Sequence, residues 1–218
     1  MTKLKLYHYV HCPFCIRVRM ALGYLKLPYE SIVLAYDDEK TPLSLTGKKM
    51  LPAFSDGSKT INESLDIIDL IDKENRFQLK NVIATDGFKK LDEFLSLIGN
   101  PIHSLAIPYW IFTAEFSPSA REYFQKKKEQ KRGPFKDLLL NQSKFLDALN
   151  PLLKDLGNQL TPFYQSNALT IFDILISSHL WGLYIVPEFQ FDLKLHHYLQ
   201  KVKQECRFNY HQDFVGFL

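Results

Sequence analysis

The sequence predicts an amino-terminal α/β domain followed by an all-helical domain. Residues 1–75 alternate between short strand-like runs and helical segments, whereas apolar residues in the second half recur at helical spacing without a convincing strand. The first strand-like run leads into a turn that carries Cys12 and Cys15, and a helix follows. We therefore expect domains over residues 1–75 and 85–218, joined by a linker over residues 76–84.

The composition indicates a soluble globular protein that can bury a core. Of the 218 residues, 46% are apolar and 23% are charged, and no apolar run approaches the ~18 residues that a membrane helix needs. The net charge of +3 is too small to indicate nucleic-acid binding. The basic run over residues 126–132 is broken by an acid and lacks interleaved aromatics, so we interpret it as a solvated helix face. We expect neither a nucleic-acid nor a membrane partner.

The three cysteines are too few for a disulfide framework, and no secretory signal precedes the first predicted strand. A cytoplasmic protein fits both observations, because cytosolic thiols are kept reduced except where they react. Cys206, near the carboxyl end, is interpreted as a small buried apolar residue or a bystander thiol.

The predicted elements of the first 75 residues follow a recognisable order. The strands cover residues 3–9, 29–34, 50–54 and 59–61. Asp56-Gly57 predicts the hairpin turn between the last two strands. One helix is predicted after the Cys12 turn, and a second, short one runs through Leu45 and ends at Gly47. A third is predicted from Asn62 to about residue 75. Strand, helix, strand, helix, hairpin and helix in this order form a thioredoxin-like layout.

The second half is punctuated by prolines and one Gly-Pro pair, between which helical periodicity is continuous. A stripe of apolar residues from Leu138 to Leu156 is interpreted as core packing. Thr170, followed three residues later by Asp173, predicts a helix capping box. The candidate helices lie near residues 86–103, 117–131, 135–157, 170–184 and 192–206.

Cys12 is the candidate nucleophile. Pro13 suits the first turn of a helix, so Cys12 is expected at the helix mouth, facing unpaired backbone N–H groups and the positive end of the helix dipole. Arg17 and Arg19 are expected to add positive charge. These surroundings bring the pKa of a thiol from near ~8.5 down to about 3.5–7.5. Cys15, one turn further in, is the expected resolving thiol.

Several motifs together resemble the glutathione-transferase superfamily, and within it the two-domain bacterial glutaredoxin type 2 family. They are the Cys-Pro-Phe-Cys turn, Leu51-Pro52, Glu63-Ser64, the all-helical second half and the Thr-x-x-Asp box. The resemblance implies a thioredoxin-like domain plus a helical domain in a glutathione-transferase-like architecture. Phe14 departs from the usual pattern, in which tyrosine is common at this position.

The resemblance also implies roles for the other motif residues. Pro52 would be a cis-proline, and the backbone of Leu51 would pair with the cysteinyl part of glutathione. Glu63 and Ser64 would hold the γ-glutamyl end, since a hydroxyl and an amide at a helix start suit a carboxylate. The glycine carboxylate would meet Arg17, Lys48 or Lys49.

The implied activity is glutathione-dependent thiol–disulfide exchange. Cys12 would attack glutathione mixed disulfides or protein disulfides, and glutathione or Cys15 would complete the reaction. Glutathione is then the cosubstrate, and a separate reductase regenerates it. We expect glutathionylated or disulfide-bonded proteins as partners, a monomer, and no metal or nucleotide.

Other interpretations of the motifs stay open. The Cys12–Cys15 pair could be half of a zinc site, although only His8 and His11 lie nearby, or a pair of inert buried thiols. A glutathione-bridged iron–sulfur cluster would need Cys12 from two chains. Glu63-Ser64 could be an ordinary helix cap, and Pro52 a trans proline at a strand entry.

Two other functions compete with the oxidoreductase. An omega-like glutathione transferase or dehydroascorbate reductase is disfavoured because Cys15 occupies the position of an alanine in that class. A non-enzymatic superfamily member is disfavoured because such proteins commonly lack the nucleophile or the glutamyl-binding pair. His11, beside the nucleophile, could tune the charge of that thiol, but we interpret it as a solvent-facing loop residue. His103, His196 and His197 are interpreted as helix-surface or core residues.

Overall fold

The first part of the chain folds as a small mixed sheet with helices beside it. In the computed structural model, residues 4–210 are described. The elements of this part are β1 (Lys5–His8), α1 (Pro13–Tyr24), β2 (Glu30–Val33), α2 (Lys40–Thr46), β3 (Ala53–Ser55), β4 (Thr60–Asn62) and α3 (Ser64–Ile71).

The four strands lie in the order β2-β1-β3-β4, which places β1 in the interior of the sheet. β1 pairs in parallel with β2, where Leu6 lies opposite Ser31, and antiparallel with β3, where Leu6 lies opposite Phe54. β3 and β4 form the predicted hairpin. Leu6 and Phe54 are both fully buried, since their side chains occupy the centre of the sheet. After β1, the chain leads directly into the turn that carries Cys12.

The rest of the described chain is helical, and no strand is found over residues 85–210. A short 3₁₀ helix, Trp181–Ile185, also belongs to this part. The helices are α4 (Leu79–Val82), α5 (Asp86–Trp110), α6 (Pro118–Arg132), α7 (Phe135–Leu140), α8 (Gln142–Asn158), α9 (Ile171–Leu180) and α10 (Leu193–Glu205).

These elements confirm the predicted order of a thioredoxin-like α/β part followed by an all-helical part. The predicted limits, with a first domain over residues 1–75, a linker over residues 76–84 and a second domain over residues 85–218, stay a prediction. The short helix α4 lies inside the segment predicted as a linker.

Two helix predictions in the second half were wrong in their limits. α5 does not end near residue 103 but continues through Pro101 and Pro108, which are both buried. Packing of α5 against α8 and α9 outweighs the local cost of the prolines. The helix predicted over residues 135–157 is broken at Asn141, whose side-chain amide donates to the carbonyl of Asp137 at 2.7 Å and closes the end of α7.

The predicted capping box at the start of α9 is confirmed. Asp173 is fully buried and accepts hydrogen bonds from the backbone N–H of Thr170 at 2.8 Å and from its hydroxyl at 3.0 Å. It also accepts from the N–H of Tyr164 at 2.8 Å, so one carboxylate orders both the helix start and the loop before it.

Helix α1 connects the two halves of the molecule. It packs against α3 on one side and against α9 on another. Its residues Ile16 and Met20 belong to the same buried cluster as Ile174 of α9, so the apolar core is continuous across the two parts. Within residues 4–210, no helix combines the length and apolarity that a membrane crossing would require.

Candidate active site

Cys12 occupies the N-cap position of α1, as predicted. Its backbone is extended (φ −82°, ψ 119°), and Pro13 follows as the first helical residue. The Cys12 carbonyl accepts hydrogen bonds from the N–H groups of Cys15 and Ile16, both at 3.0 Å, which close the first helical turn. Cys12 is partly exposed, whereas Cys15 is fully buried. Both are free thiols.

The surroundings of Cys12 lower its pKa from 9.0 to about 6. The largest cause is a hydrogen bond from the Cys15 thiol, and the charge of His11 and the backbone N–H groups of Cys15 and Phe14 act in the same direction. Burial opposes them. The pKa of Cys15 is instead raised well above its ordinary value, first by burial and then by its interaction with Cys12. The turn therefore contains one acidic thiol and one that stays protonated.

Arg17 and Arg19 are both buried but face different neighbours. The Arg17 guanidinium lies 4.6 Å from the ring centre of Phe14, and its charge and a thiolate at Cys12 attract each other. Arg17 therefore adds positive charge near the thiol, as expected. Arg19 lies 4.8 Å from the ring centre of Phe208, in the carboxyl-terminal part of the chain.

The prediction that His11 is a solvent-facing loop residue was wrong. Its side chain is 7% exposed and its Nδ1 lies 2.5 Å from Oε1 of Glu115, a fully buried residue on the turn between α5 and α6. Glu115 lies 104 positions further along the chain, so no local pattern around His11 could reveal the pair. The available signal was one acid within the aromatic-rich segment 109–116.

Leu51 and Pro52 lie beside the dithiol turn. The Leu51–Pro52 peptide bond is cis, as predicted. Leu51 is buried in a small apolar cluster with Cys15 and Ala53, and Cys12 packs against the same cluster. Leu51 and the two cysteines therefore share one apolar environment.

Glu63 and Ser64 begin α3. Glu63 is exposed with φ 72° and ψ 110°, a conformation that residues other than glycine rarely adopt. Its side chain makes no capping hydrogen bond, and Ser64 is buried at the first helical position. The Glu63 carboxylate therefore does not serve as an ordinary helix cap, although its backbone carbonyl accepts from the N–H of Ile67 at 2.9 Å.

The three candidates for the glycine carboxylate of glutathione have different surroundings. Lys48 is exposed. The ammonium of Lys49 is hydrogen-bonded to Glu39 and, at 2.7 Å, to the hydroxyl of Tyr123. Arg17 is buried under Phe14.

A cleft of about 360 Å³ opens next to the dithiol turn, between α1 and helices of the second half. Burial lowers the pKa values of His103 and His179 to about 3, so both rings are neutral near pH 7. The sequence did not indicate this cleft. Among its lining residues are Phe14, Arg17, Leu95, Ser96, His103 and His179.

The remaining candidates lie away from the turn. Cys206 is fully buried, and burial raises its pKa, which agrees with its interpretation as a small apolar residue. His196 and His197 are exposed on α10, so of the two interpretations, helix surface or core, the first is correct for them. Over residues 4–210, no group of three or more His, Cys, Asp or Glu residues is arranged to hold a metal ion.

The comparisons with known proteins agree with this architecture. A family model described as "Glutaredoxin 2, C terminal domain" matches residues 90–214, and one described as "Glutathione S-transferase, N-terminal domain" matches residues 6–76. Over 211 residues, the chain is 30% identical to Glutaredoxin 2 of Escherichia coli K12, with 94% of this chain and 97% of that protein covered.

Solved structures give the same result. The crystal structure of Glutaredoxin 2 from Salmonella typhimurium in complex with glutathione is similar at a TM-score of 0.84 and 28% identity, covering 96% of this chain and 97% of that one. A glutathione S-transferase of Ceriporiopsis subvermispora shares the fold at a TM-score of 0.77 and 17% identity, covering 93% and 97%.

Fold and site together define a protein of the glutathione-transferase architecture whose first helix begins at a dithiol turn. More narrowly, the chain belongs to the glutaredoxin 2 family. It is a glutathione-dependent thiol–disulfide oxidoreductase, and the predicted family and activity are confirmed at this level.

Proposed function

We propose that Cys12 is the nucleophile of this reaction and Cys15 the resolving thiol. The observation that carries the proposal is the opposite acidity of the two sulfurs in one turn: the pKa of Cys12 is lowered to about 6, whereas that of Cys15 is raised. At neutral pH a thiol of this acidity is mostly thiolate, which is the attacking species in thiol–disulfide exchange. Its partial exposure lets a disulfide approach.

With a glutathione mixed disulfide, the Cys12 thiolate attacks the glutathione sulfur. The Cys12–glutathione bond forms, the original disulfide breaks, and the other thiol leaves reduced. A second glutathione thiolate then attacks the glutathione sulfur held on Cys12, releasing oxidised glutathione and restoring the Cys12 thiolate. A separate reductase returns oxidised glutathione to the thiol.

With a protein disulfide, the first attack leaves the protein joined to Cys12. Cys15 then loses its proton and attacks the Cys12 sulfur, which frees the reduced protein and forms the Cys12–Cys15 disulfide. Two glutathione molecules reduce that bond in turn. Glutathione is the cosubstrate, and glutathionylated or disulfide-bonded proteins are the partners. We place the protein in the cytoplasm, and its free cysteines support this location. We expect it to be a monomer.

For glutathione itself, the proposed site is Leu51, Pro52, Glu63 and Ser64. Leu51 belongs to the apolar cluster that contains Cys15 and contacts Cys12, so its backbone N–H and C=O suit the cysteinyl part of the tripeptide. The first N–H groups of α3 and the Ser64 hydroxyl suit the γ-glutamyl carboxylate, and the Glu63 carboxylate suits the ammonium group. Salmonella Glutaredoxin 2, a structural relative, was solved in complex with glutathione, which supports glutathione as the ligand of this fold.

Two substrates test the thiol roles. Cys12→Ser should lose reduction of both a glutathionylated peptide and a protein disulfide. Cys15→Ser should keep the first reaction and lose the second, because only the second needs an internal resolving thiol. Cys206→Ala, a buried thiol away from the turn, serves as the control and should keep both. Substantial turnover by Cys12→Ser would contradict the proposal.

The binding assignment is tested by the KM for glutathione. Ser64→Ala and Glu63→Gln should each raise it roughly tenfold, the equivalent of one charge-assisted hydrogen bond. Asp66→Asn changes an exposed carboxylate in the same helical turn and should leave the KM unchanged. Equal KM values in all three variants would place glutathione elsewhere.

A further inference from the structure

Glu115 connects the helical part of the molecule to the residue that precedes the nucleophile. Its Oε1 accepts two hydrogen bonds from His11, one from the backbone N–H at 3.0 Å and one from Nδ1 at 2.5 Å. The backbone carbonyl of Glu115 accepts from the N–H of Tyr36 at 3.0 Å, which fixes its turn to the amino-terminal part. The carboxylate therefore holds both the ring and the backbone of His11.

The surroundings of this pair favour a charged imidazole ring. Five aromatic side chains enclose the His11 ring with centroids 5.0 to 5.6 Å away, and aromatic faces attract cations. The Glu115 side chain is fully buried, and its Oε2 has no hydrogen-bond partner within residues 4–210. A buried carboxylate needs a countercharge, and His11 lies in contact with it. The enclosing residues are Tyr9, Tyr36, Trp110, Phe116 and Phe124.

We propose that Glu115 is a positioning residue for the thiol chemistry: its carboxylate holds the His11 imidazolium next to Cys12, where the positive charge stabilises the thiolate. This inference rests on the proposed role of Cys12. It gives the helical part of the molecule a function in activating the nucleophile, since Glu115 lies outside the thioredoxin-like part. Consistent with this geometry, His11 lowers the pKa of Glu115 although burial opposes it.

The direction in which the pKa of Cys12 changes when Glu115 loses its charge distinguishes this role from a direct effect of the carboxylate on the sulfur. A carboxylate acting alone near a sulfur disfavours the thiolate, and the charge of Glu115 does raise the pKa of Cys15. Removing that charge without any change at His11 would therefore make Cys12 more acidic. If Glu115 acts through His11, removing the Glu115 charge leaves the His11 ring without its positive charge, and the pKa of Cys12 rises.

Other titratable groups around the turn keep their charge state between pH 5 and 8. Burial lowers the pKa of His8 to about 4 and that of His103 to about 3, and it raises the pKa of Tyr36 to about 12 and that of Tyr9 further. None of these four groups therefore gains or loses a proton between pH 5 and 8. The remaining charged or titratable neighbours are Arg17, Lys128 and Cys15.

The decisive variant is Glu115→Gln, which keeps an oxygen acceptor in place of the carboxylate. We expect the apparent pKa of Cys12 to rise by about one unit, so that its alkylation by iodoacetamide at pH 5.5 slows about tenfold. At pH 9 the two proteins should react at the same rate, because both are then thiolates. Peptide mass spectrometry assigns the alkylated cysteine. Glu122→Gln, an exposed carboxylate on α6, is the matched control and should leave the rates unchanged.

His11→Asn should slow alkylation at pH 5.5 by a similar factor, and the double variant by no more than either single variant, because the two residues act as a unit. In the unaltered protein, the nitrogen chemical shifts of the His11 ring should report an imidazolium at pH 7. A neutral ring at pH 7, or a Cys12 that becomes more acidic or stays unchanged in Glu115→Gln, would overturn the inference. Neither result would affect the role of Cys12, which the Cys12→Ser assays test separately.

Discussion

The Cys15 thiol lies in the same turn as Cys12, and its hydrogen-bonding interaction with the Cys12 sulfur is the largest cause of the lowered pKa of Cys12. The resolving residue thus has two roles in the proposed mechanism. Before any disulfide forms, it stabilises the thiolate that attacks; afterwards, it becomes the second nucleophile. Its own burial and high pKa keep it protonated for the first role.

This relationship predicts a difference between two replacements of Cys15. The pKa of Cys12 should rise in both Cys15→Ser and Cys15→Ala, and further in Cys15→Ala, because a serine hydroxyl still donates a hydrogen bond and a methyl group does not. The pH dependence of iodoacetamide alkylation measures it. Identical titration curves for the two variants would show that the hydrogen bond is unimportant.

The backbone of Glu63 predicts a compromise between stability and binding. With φ at 72°, the residue carries a conformational cost of the order of 1–3 kcal/mol that glycine would relieve, less the entropy that glycine loses on folding. Glu63→Gly should therefore stabilise the protein by about 1 kcal/mol in urea denaturation. The KM for glutathione should nevertheless rise, since the carboxylate is gone.

Gln78 offers a control for this variant, because its φ of 47° is also left-handed and it lies at the start of α4 rather than α3. Gln78→Gly should gain stability and keep the KM. A Glu63→Gly protein with lower stability, or with an unchanged KM, would refute the compromise.

The packing of α1 against the carboxyl-terminal part predicts that Gly23 cannot be enlarged. A Cβ at this position would lie 1.9 Å from the carbonyl oxygen of Cys206, so the backbone of one segment must move. Gly23→Ala should destabilise the protein by about 1–3 kcal/mol, the usual range for overpacking. Urea denaturation measures the loss.

Gly157, a buried helical glycine on α8, provides the comparison. Apart from its chain neighbours and the nearby backbone of its own helix, no heavy atom of residues 4–210 lies within 4 Å of a Cβ built there. Gly157→Ala should therefore be neutral or stabilising by up to about 1 kcal/mol, as expected from helix propensity. Equal effects of the two substitutions would mean that the close approach at Gly23 is not real.

The sequence was most informative where function depends on local structure. The Cys12 turn, the helix that starts at Pro13 and the capping box at Asp173 are each set by residues within a few positions of one another. The Leu51–Pro52 cis bond followed from a resemblance in spacing, and the hairpin from Asp56-Gly57. Such features need no knowledge of distant contacts.

Features that depend on distant parts of the chain were missed. His11 is polar and stands in a loop, and only the arrival of Glu115 and the surrounding rings makes its burial favourable. The prolines of α5 indicated a helix end by local rules, but the helix is held by its neighbours along the core. Arg17, predicted as a nearby charge, also lies under Phe14, a contact that spacing alone did not show.

The most direct test of the account is a titration of Cys12 in the unaltered protein, following thiolate absorbance near 240 nm from pH 3 to 9. Cys15 and Cys206 should stay silent because burial raises both of their pKa values. We expect one transition with a midpoint near pH 6, assigned to Cys12 by its loss in Cys12→Ser. A Cys12 thiol that remains protonated up to pH 8 or above would contradict the central claim.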